Sequence, residues 1–278
     1  MSKERVLITV KTYPTLSTKY GELVCTAGIR ESTGEWIRIY PIPYRRFNRD
    51  RHFKKYQWVN IQLKKNPGDT RSESYRPVNL FDIELQEIIP TGKDEWNKRK
   101  KFVLNPDYLY TSLNDLLLDT KKHNRSIAVF KPAKYIKFSI ESTSNEWDPK
   151  KLEACRAILN QPGFFDEDLI RQTKPVDKIP YKFKIRFADE TGRESEMMVE
   201  DWEICSLYRN CVSKTGDEDK ACGDVRTKIE TLMNDRDLYL ILGTTAAWHY
   251  IAPNPYLIIG LFYPPFPPHP SAQMSLEF

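Results

Sequence analysis

The sequence predicts an α+β fold, with a basic, β-rich N-terminal barrel or curled sheet and a C-terminal mixed α/β part. Three observations carry that expectation. Short segments rich in β-branched and aromatic residues, separated by turn signals, fill residues 1–90. Helical stretches with cap signals begin only after them. Later, Tyr181–Phe187 alternates apolar with charged residues, while Leu238–Leu242 and Tyr256–Phe262 are apolar throughout. Alternation marks a half-buried strand, and a continuous apolar run marks a strand buried on both faces.

The expected N-terminal strands are Arg5–Lys11, Glu22–Ile29, Glu35–Tyr40, Gln57–Lys64 and Val78–Glu87. Ser32-Thr33-Gly34 forms a hairpin tip, and Asn66-Pro67-Gly68-Asp69 a tight turn. Helices follow over Lys93–Val103 and Ser112–Lys122, then strands over Ser126–Phe130 and Tyr135–Ile140. Pro149 takes the first helical position after Asp148, in a helix ending near Leu159. Beyond the alternating strand, Asp189–Gly192 turns the chain into a strand over Glu194–Val199. Helices near Asp201–Val212 and Asp217–Met233 come next, with Asp201 as an N-cap. Four regions result: a basic β-rich domain (1–90), a helical and β connecting region (91–162), a C-terminal α+β region (163–262) and a proline-rich tail (263–278). The stretch Gln161–Pro180 is the expected boundary.

The net charge of +5 is unevenly spread. Residues 1–101 hold 21 Lys and Arg against 12 Asp and Glu, whereas the remainder holds 22 against 26. The basic half therefore suits a polyanion. Its densest part is Arg38 to Lys55, with Arg38, Arg45, Arg46, Arg49, Arg51, Lys54 and Lys55 against Asp50 alone. Tyr40, Tyr44, Phe47, Phe53, Tyr56 and Trp58 are interleaved or adjacent. Guanidinium and ammonium groups neutralise phosphates and aromatic faces stack on bases, so Arg38, Tyr40, Tyr44 and the cations from Arg45 to Lys55 are the expected contacts to DNA or RNA. The alternative is a solvated basic loop with its aromatics in the core. Lys98-Arg99-Lys100-Lys101 is explained by a helix C-terminus.

Signatures of other chemistry are weak. Cys155, Cys205, Cys211 and Cys222 lack zinc-site spacing and read as reduced, buried thiols, as does Cys25; a cytoplasmic location follows. None of the four histidines has metal-ligand spacing with another, and neither a metal nor a cofactor is implied. Thr244, Thr245, Trp248 and His249 follow an apolar strand, where either a pocket or a packed turn belongs. The carboxylate pairs Asp69 and Glu73, Asp82 and Glu84, and Asp201 and Glu203 do not form a nuclease signature. There is no phosphate-binding glycine loop and no nucleophile elbow. Whether the chain is an enzyme stays open, with a metal-dependent nuclease or a base-processing enzyme as the alternative and a scaffold as a third reading. The charged start, too short an apolar run for a signal peptide, and the lack of long apolar stretches predict no membrane partner.

The tail carries Pro264, Pro265, Pro267, Pro268 and Pro270, and ends in Gln273-Met274-Ser275-Leu276-Glu277-Phe278. Proline at this density holds a chain extended, so the last six residues form a presented peptide with three apolar groups on one face. This ending resembles the bacterial sliding-clamp-binding motif at its four defining positions, Gln273, Met274, Leu276 and Phe278. The resemblance implies that Gln273 caps one edge of the clamp groove, Met274 and Leu276 enter one apolar pocket, and Phe278 enters another. The setting so implied is bacterial, in repair, mobile-element biology or defence. The body, through Lys11-Thr12-Tyr13-Pro14, Trp36–Pro41, Asp201-Trp202-Glu203 and Gly260–Pro265, resembles an uncharacterised prokaryotic family, which brings no catalytic residue with it.

Overall fold

Sequence alternation within single strands sets the layering of the molecule. A computed structural model describes residues 2–92, 95–159 and 174–267. The first part contains β1 (Glu4–Lys11), β2 (Thr15–Ser17), β3 (Gly21–Arg30), β4 (Trp36–Ile42), β5 (Gln57–Ile61), β6 (Leu63–Lys65), β7 (Ser74–Pro77) and β8 (Glu84–Ile88). Among the described residues they form a curled half-barrel in the order β6-β7-β4-β3-β1-β5-β8, with β2 paired to β3. Most of its neighbours are antiparallel; β4 and β7 are parallel.

The second part contains α1 (Glu95–Val103), β9 (Leu109–Tyr110), α2 (Leu113–His123), β10 (Ile127–Phe130), β11 (Lys134–Ser142) and α3 (Pro149–Leu159). It continues with β12 (Tyr181–Ala188), β13 (Glu194–Val199), α4 (Trp202–Thr215), α5 (Glu218–Asp235), β14 (Tyr239–Thr244) and β15 (Tyr256–Phe262). Its sheet runs β11-β12-β13-β15-β14-β10-β9, again mostly antiparallel. The fold is α+β, with the apolar strands β14 and β15 in the sheet interior.

Three apolar layers result. Inside the curl, Val6, Ile8, Ile37, Ile39 and Val59 pack together. Their neighbours Leu7, Trp36 and Trp58 point the other way and meet Ile127, Val129, Ile241 and Ile259 of the second sheet. On that sheet's far face, Phe183, Ile185, Leu240 and Ile258 pack against Tyr208 of α4 and Val225 of α5. The rings of Tyr181 and Phe183 lie 5.4 and 6.1 Å from Tyr208, which fixes α4 beside β12. Period-two alternation divides each central strand between two cores. Close packing of β1 on β3 requires glycine at 28, since a Cβ there would lie 2.6 Å from the Leu7 carbonyl oxygen.

Caps set the helix ends. Ser112 accepts from the Asp115 amide at the start of α2, Asp201 from Glu203 at α4, and Asp217 from Lys220 at α5. Asn124 ends α2 in the left-handed conformation. The structure corrects two strand expectations. Gln57–Lys64 divides at Gln62, because β5 stays with β1 and β8 while β6 turns to β7. Val78–Glu87 is not one strand: Asn79 caps a 3-10 turn over Leu80–Asp82, and β8 begins at Glu84. Most of Gln161–Pro180 lies outside the described residues.

Candidate nucleic-acid interface

The basic segment Arg38–Lys55 is largely drawn into the fold. Alternation on β4 sends Arg38 toward the second sheet, where it is 2% exposed and donates to the Ser126 carbonyl (3.2 Å) and the Cys25 sulfur (3.1 Å). Tyr44, Phe47, Phe53, Tyr56 and Trp58 are buried. The Tyr44 hydroxyl donates to the Phe53 carbonyl at 2.7 Å. Arg45 pairs with the buried Glu22 at 2.6 Å, and Arg51 donates to the Phe81 carbonyl at 2.7 Å. Burial lowers the Arg46 pKa. Tyr40 is half-buried, and burial raises its pKa to about 12. Arg49 and Lys54 are exposed. Three of the expected contacts to nucleic acid, Arg38, Tyr44 and Lys55, therefore face the interior instead.

Lys55 joins the two parts of the chain. Its ammonium lies 2.8 Å from Glu203, 3.5 Å from Asp201 and 3.1 Å from the Leu261 carbonyl. Burial disfavours its charge, but the two carboxylates outweigh that and hold its pKa well above the ordinary value. Asp201 also accepts from the Leu261 amide at 3.1 Å, and burial raises its own pKa. Nearby, the Lys11 ammonium lies 4.4 Å from the Tyr44 ring centre and 5.5 Å from that of Trp202. Burial without a carboxylate in contact lowers its pKa to about 8.

A second polar constellation comes from segments distant in sequence. Asp69 and Arg71 form a buried pair at 2.5 Å, and Arg71 also donates to the Thr244 carbonyl. Burial alone would raise the Asp69 pKa, but donors from Arg71 and Ser74 bring it down to about 2. Glu73 accepts from the Ser126 amide and hydroxyl, both at 2.9 Å. His249, 5% exposed, sits between the Thr244 hydroxyl (2.9 Å) and the Asn124 side-chain oxygen (2.8 Å). That oxygen only accepts, so His249 Nε2 carries the proton and Nδ1 accepts from Thr244. Desolvation and Arg71 lower the His249 pKa, in keeping with a neutral ring. Glu73, through Ser126, and Arg71, through Thr244, thus fasten the two parts together, while Asp69 holds Arg71 and His249 holds Thr244 and Asn124 within their own parts.

Beside this junction lies a cleft of about 210 Å³ lined by Arg30, Glu35, Trp36, Lys65, Glu73, Tyr75, Tyr108, His123 and Arg125. Cations lie on its aromatic faces: Arg30 and Lys65 each 4.2 Å from the Tyr75 centroid, and Arg125 4.4 Å from Tyr108. The Trp36 indole N–H is buried without a hydrogen-bond partner among the described residues. The last turn of α2 adds exposed Lys121, Lys122 and His123. On the other side of Asn124, the turn after β14 exposes Trp248 (58%), Tyr250 (62%) and Ile251 (70%). Sequence reasoning marked Trp248 and His249 but missed Lys65, Tyr75, Tyr108, Lys121, Lys122, Arg125 and Tyr250. The usable signal was the pair of aromatics flanking His249.

Cys205 and Cys222 belong to the helix-side core, while Cys155 packs with Leu16 and Val176 elsewhere. Among the described residues no group of three or more His, Cys, Asp or Glu is placed to hold a metal ion. No helix among them is long and apolar enough to cross a membrane. Gln273, Met274, Leu276 and Phe278 lie outside the described residues. The tail before them is anchored where the Asp237 amide donates to the Pro264 carbonyl at 2.9 Å.

Comparison with solved structures finds the crystal structure of the tetrameric p202 HIN2, at 10% identity over 72% of this chain and 70% of that one, with a TM-score of 0.29. At that score the likeness carries no argument. No curated protein matches the chain. Residues 2–105 match the family described as domain of unknown function DUF8758, and residues 110–277 match the domain of unknown function DUF8757. The second match covers more than half of the 278 residues, so the chain belongs to the DUF8757 family.

Proposed function

We propose that this protein binds nucleic acid in the cleft where the first sheet meets the end of α2, and that its tail recruits it to a bacterial sliding clamp. The observation that carries the reading is the cleft itself, where exposed Lys65 lies against the face of Tyr75, beside Arg30, which is paired with Glu4 and Glu35, and Arg125, which lies on Tyr108 and is paired with Asp119. Phosphates need such cations, and unpaired bases need such faces. Lys121 and Lys122, exposed in the last turn of α2 next to the cleft residue His123, extend the basic surface. Tethering to a clamp raises the local concentration at replicating or repaired DNA without adding contacts to the body.

The test is binding of the intact chain to labelled single strands and duplexes across a salt series. Lys65→Ala with Lys121→Ala and Lys122→Ala is expected to weaken binding and flatten its salt dependence by about 0.7 in log–log slope per lost phosphate contact on single strands. Absence of oligonucleotide binding at low salt would overturn the reading. For the tail, purified clamp is expected to bind the chain at micromolar affinity. Gln273→Ala should weaken that binding, and Leu276→Ala with Phe278→Ala should abolish it without lowering the melting temperature. Retained clamp binding by the double variant would remove the tether.

A further inference from the structure

We propose that the turn carrying Trp248 and Tyr250 is a base-stacking platform that makes the site selective for single-stranded nucleic acid. The proposal rests on the nucleic-acid reading above and adds its strand preference. Single exposed apolar residues are ordinary on a protein surface. Trp248, Tyr250 and Ile251 instead form one exposed group around the buried His249. An exposed apolar group of this kind marks a surface that meets a partner.

The turn is held before any partner arrives. The amides of Trp248 and His249 donate to the Thr245 carbonyl at 3.2 and 3.0 Å, and those of Ile251 and Ala252 to the Trp248 carbonyl at 3.2 and 3.0 Å. His249 pins it from beneath through Thr244 and Asn124. The Tyr250 hydroxyl donates to the Asn124 side-chain oxygen (3.0 Å) and accepts from the Thr70 hydroxyl (2.8 Å), fixing the ring at its far edge. A ring fixed in advance, as that of Tyr250 is, loses little freedom when a base stacks on it.

Charge identifies the occupant. Asn124, which holds the turn, directly follows the exposed Lys121-Lys122-His123 of α2 and precedes the cleft residue Arg125. Aromatic faces bordered by exposed cations suit a polyanion with accessible rings. A duplex keeps its base faces stacked inside, whereas a single strand presents them.

The experiment measures affinities of the intact chain for an oligothymidylate and for a duplex of equal length, in wild type and in Trp248→Ala with Tyr250→Ala. Both side chains are exposed, so the melting temperature serves as the folding control. The double variant is expected to lose about ten- to a hundredfold in single-strand affinity. Its salt slope should stay unchanged, because phosphate contacts remain, and duplex affinity should change less than about twofold. Equal loss on both ligands, or no loss, would overturn the platform while leaving nucleic-acid binding standing. No binding by the wild type would overturn both. Unchanged single-strand affinity together with lost self-association in sedimentation would assign the turn to contact between copies, and so also overturn the platform.

Discussion

The segment Arg38–Lys55 and the turn Thr245–Asn254 exchange the roles their sequences imply. The first is dense in charge and aromatic rings, yet the fold uses Arg38, Tyr44, Arg45 and Lys55 for internal pairs. The second is short and carries no Lys or Arg, yet it exposes two aromatic rings and is tied through Tyr250 to Asn124, which follows the exposed cations of α2. Charge counted along a chain is therefore not charge offered to solvent. Strand alternation decides the matter for Arg38, which shares the face of β4 that carries Trp36 toward the second sheet.

The largest effect expected from this contrast is at Lys55. Lys55→Ala leaves Asp201, 3% exposed, without its cation. Breaking a buried pair costs roughly 3–5 kcal/mol, measurable by denaturant unfolding, while the folded variant should bind nucleic acid like wild type. Weaker binding with unchanged stability would return Lys55 to the interface.

Next is the junction beneath the aromatic turn. The Asp69 pKa is depressed to about 2, so its stabilising charge is fully present above the ordinary value near 4 and is lost as pH falls toward 2. Asp69→Asn should lower stability at pH 7 by roughly 1–3 kcal/mol and remove part of the acid sensitivity in that window. An unfolding curve at pH 2–5 that is identical in the two proteins would contradict the assignment.

An effect of comparable size at higher pH tests whether the aromatic rings of the basic segment are already occupied. With the Lys11 pKa at about 8, the unfolded chain binds a proton that the folded chain lacks between that value and 10.5. Lys11 therefore contributes a rise in stability with pH across that window, up to roughly 3 kcal/mol. Lys11→Met should flatten this contribution relative to wild type in chemical denaturation at pH 7–10. The smallest effect is at the exposed remainder of the segment: Arg49→Ala with Lys54→Ala should leave stability within about 0.5 kcal/mol and lower the salt slope only slightly.

Much of the fold was legible because its signals are local. Alternation gave Tyr181–Phe187, continuous apolarity gave the interior strands, and Asp201 gave the start of α4. The strands Thr15–Ser17 and Leu109–Tyr110 were not legible, because two or three residues become a strand only when a partner edge is present. The division at Gln62 likewise arises from the curl of the sheet. The candidate site was legible only in fragments. Arg30, Lys65, Tyr75, Tyr108 and Arg125 belong to separate segments, and only the tertiary fold brings them around one cleft. Asp69, Glu73 and His249 carried a hint of chemistry in the sequence; in the fold Glu73 bonds across to Ser126, and Asp69 and His249 hold Arg71 and Thr244, which bond across to each other.

On the proposed reading, nucleic acid meets the cleft and turn rather than the basic segment. The most direct measurement compares single-strand affinity and salt slope for Lys65→Ala with Lys121→Ala and Lys122→Ala against Arg45→Ala with Arg46→Ala and Arg49→Ala, both as intact chains at matched foldedness. The first set is expected to lose at least about tenfold in affinity, with a slope lower by about 2, and the second clearly less. A larger loss in the arginine set, with the lysine set near wild type, would contradict it.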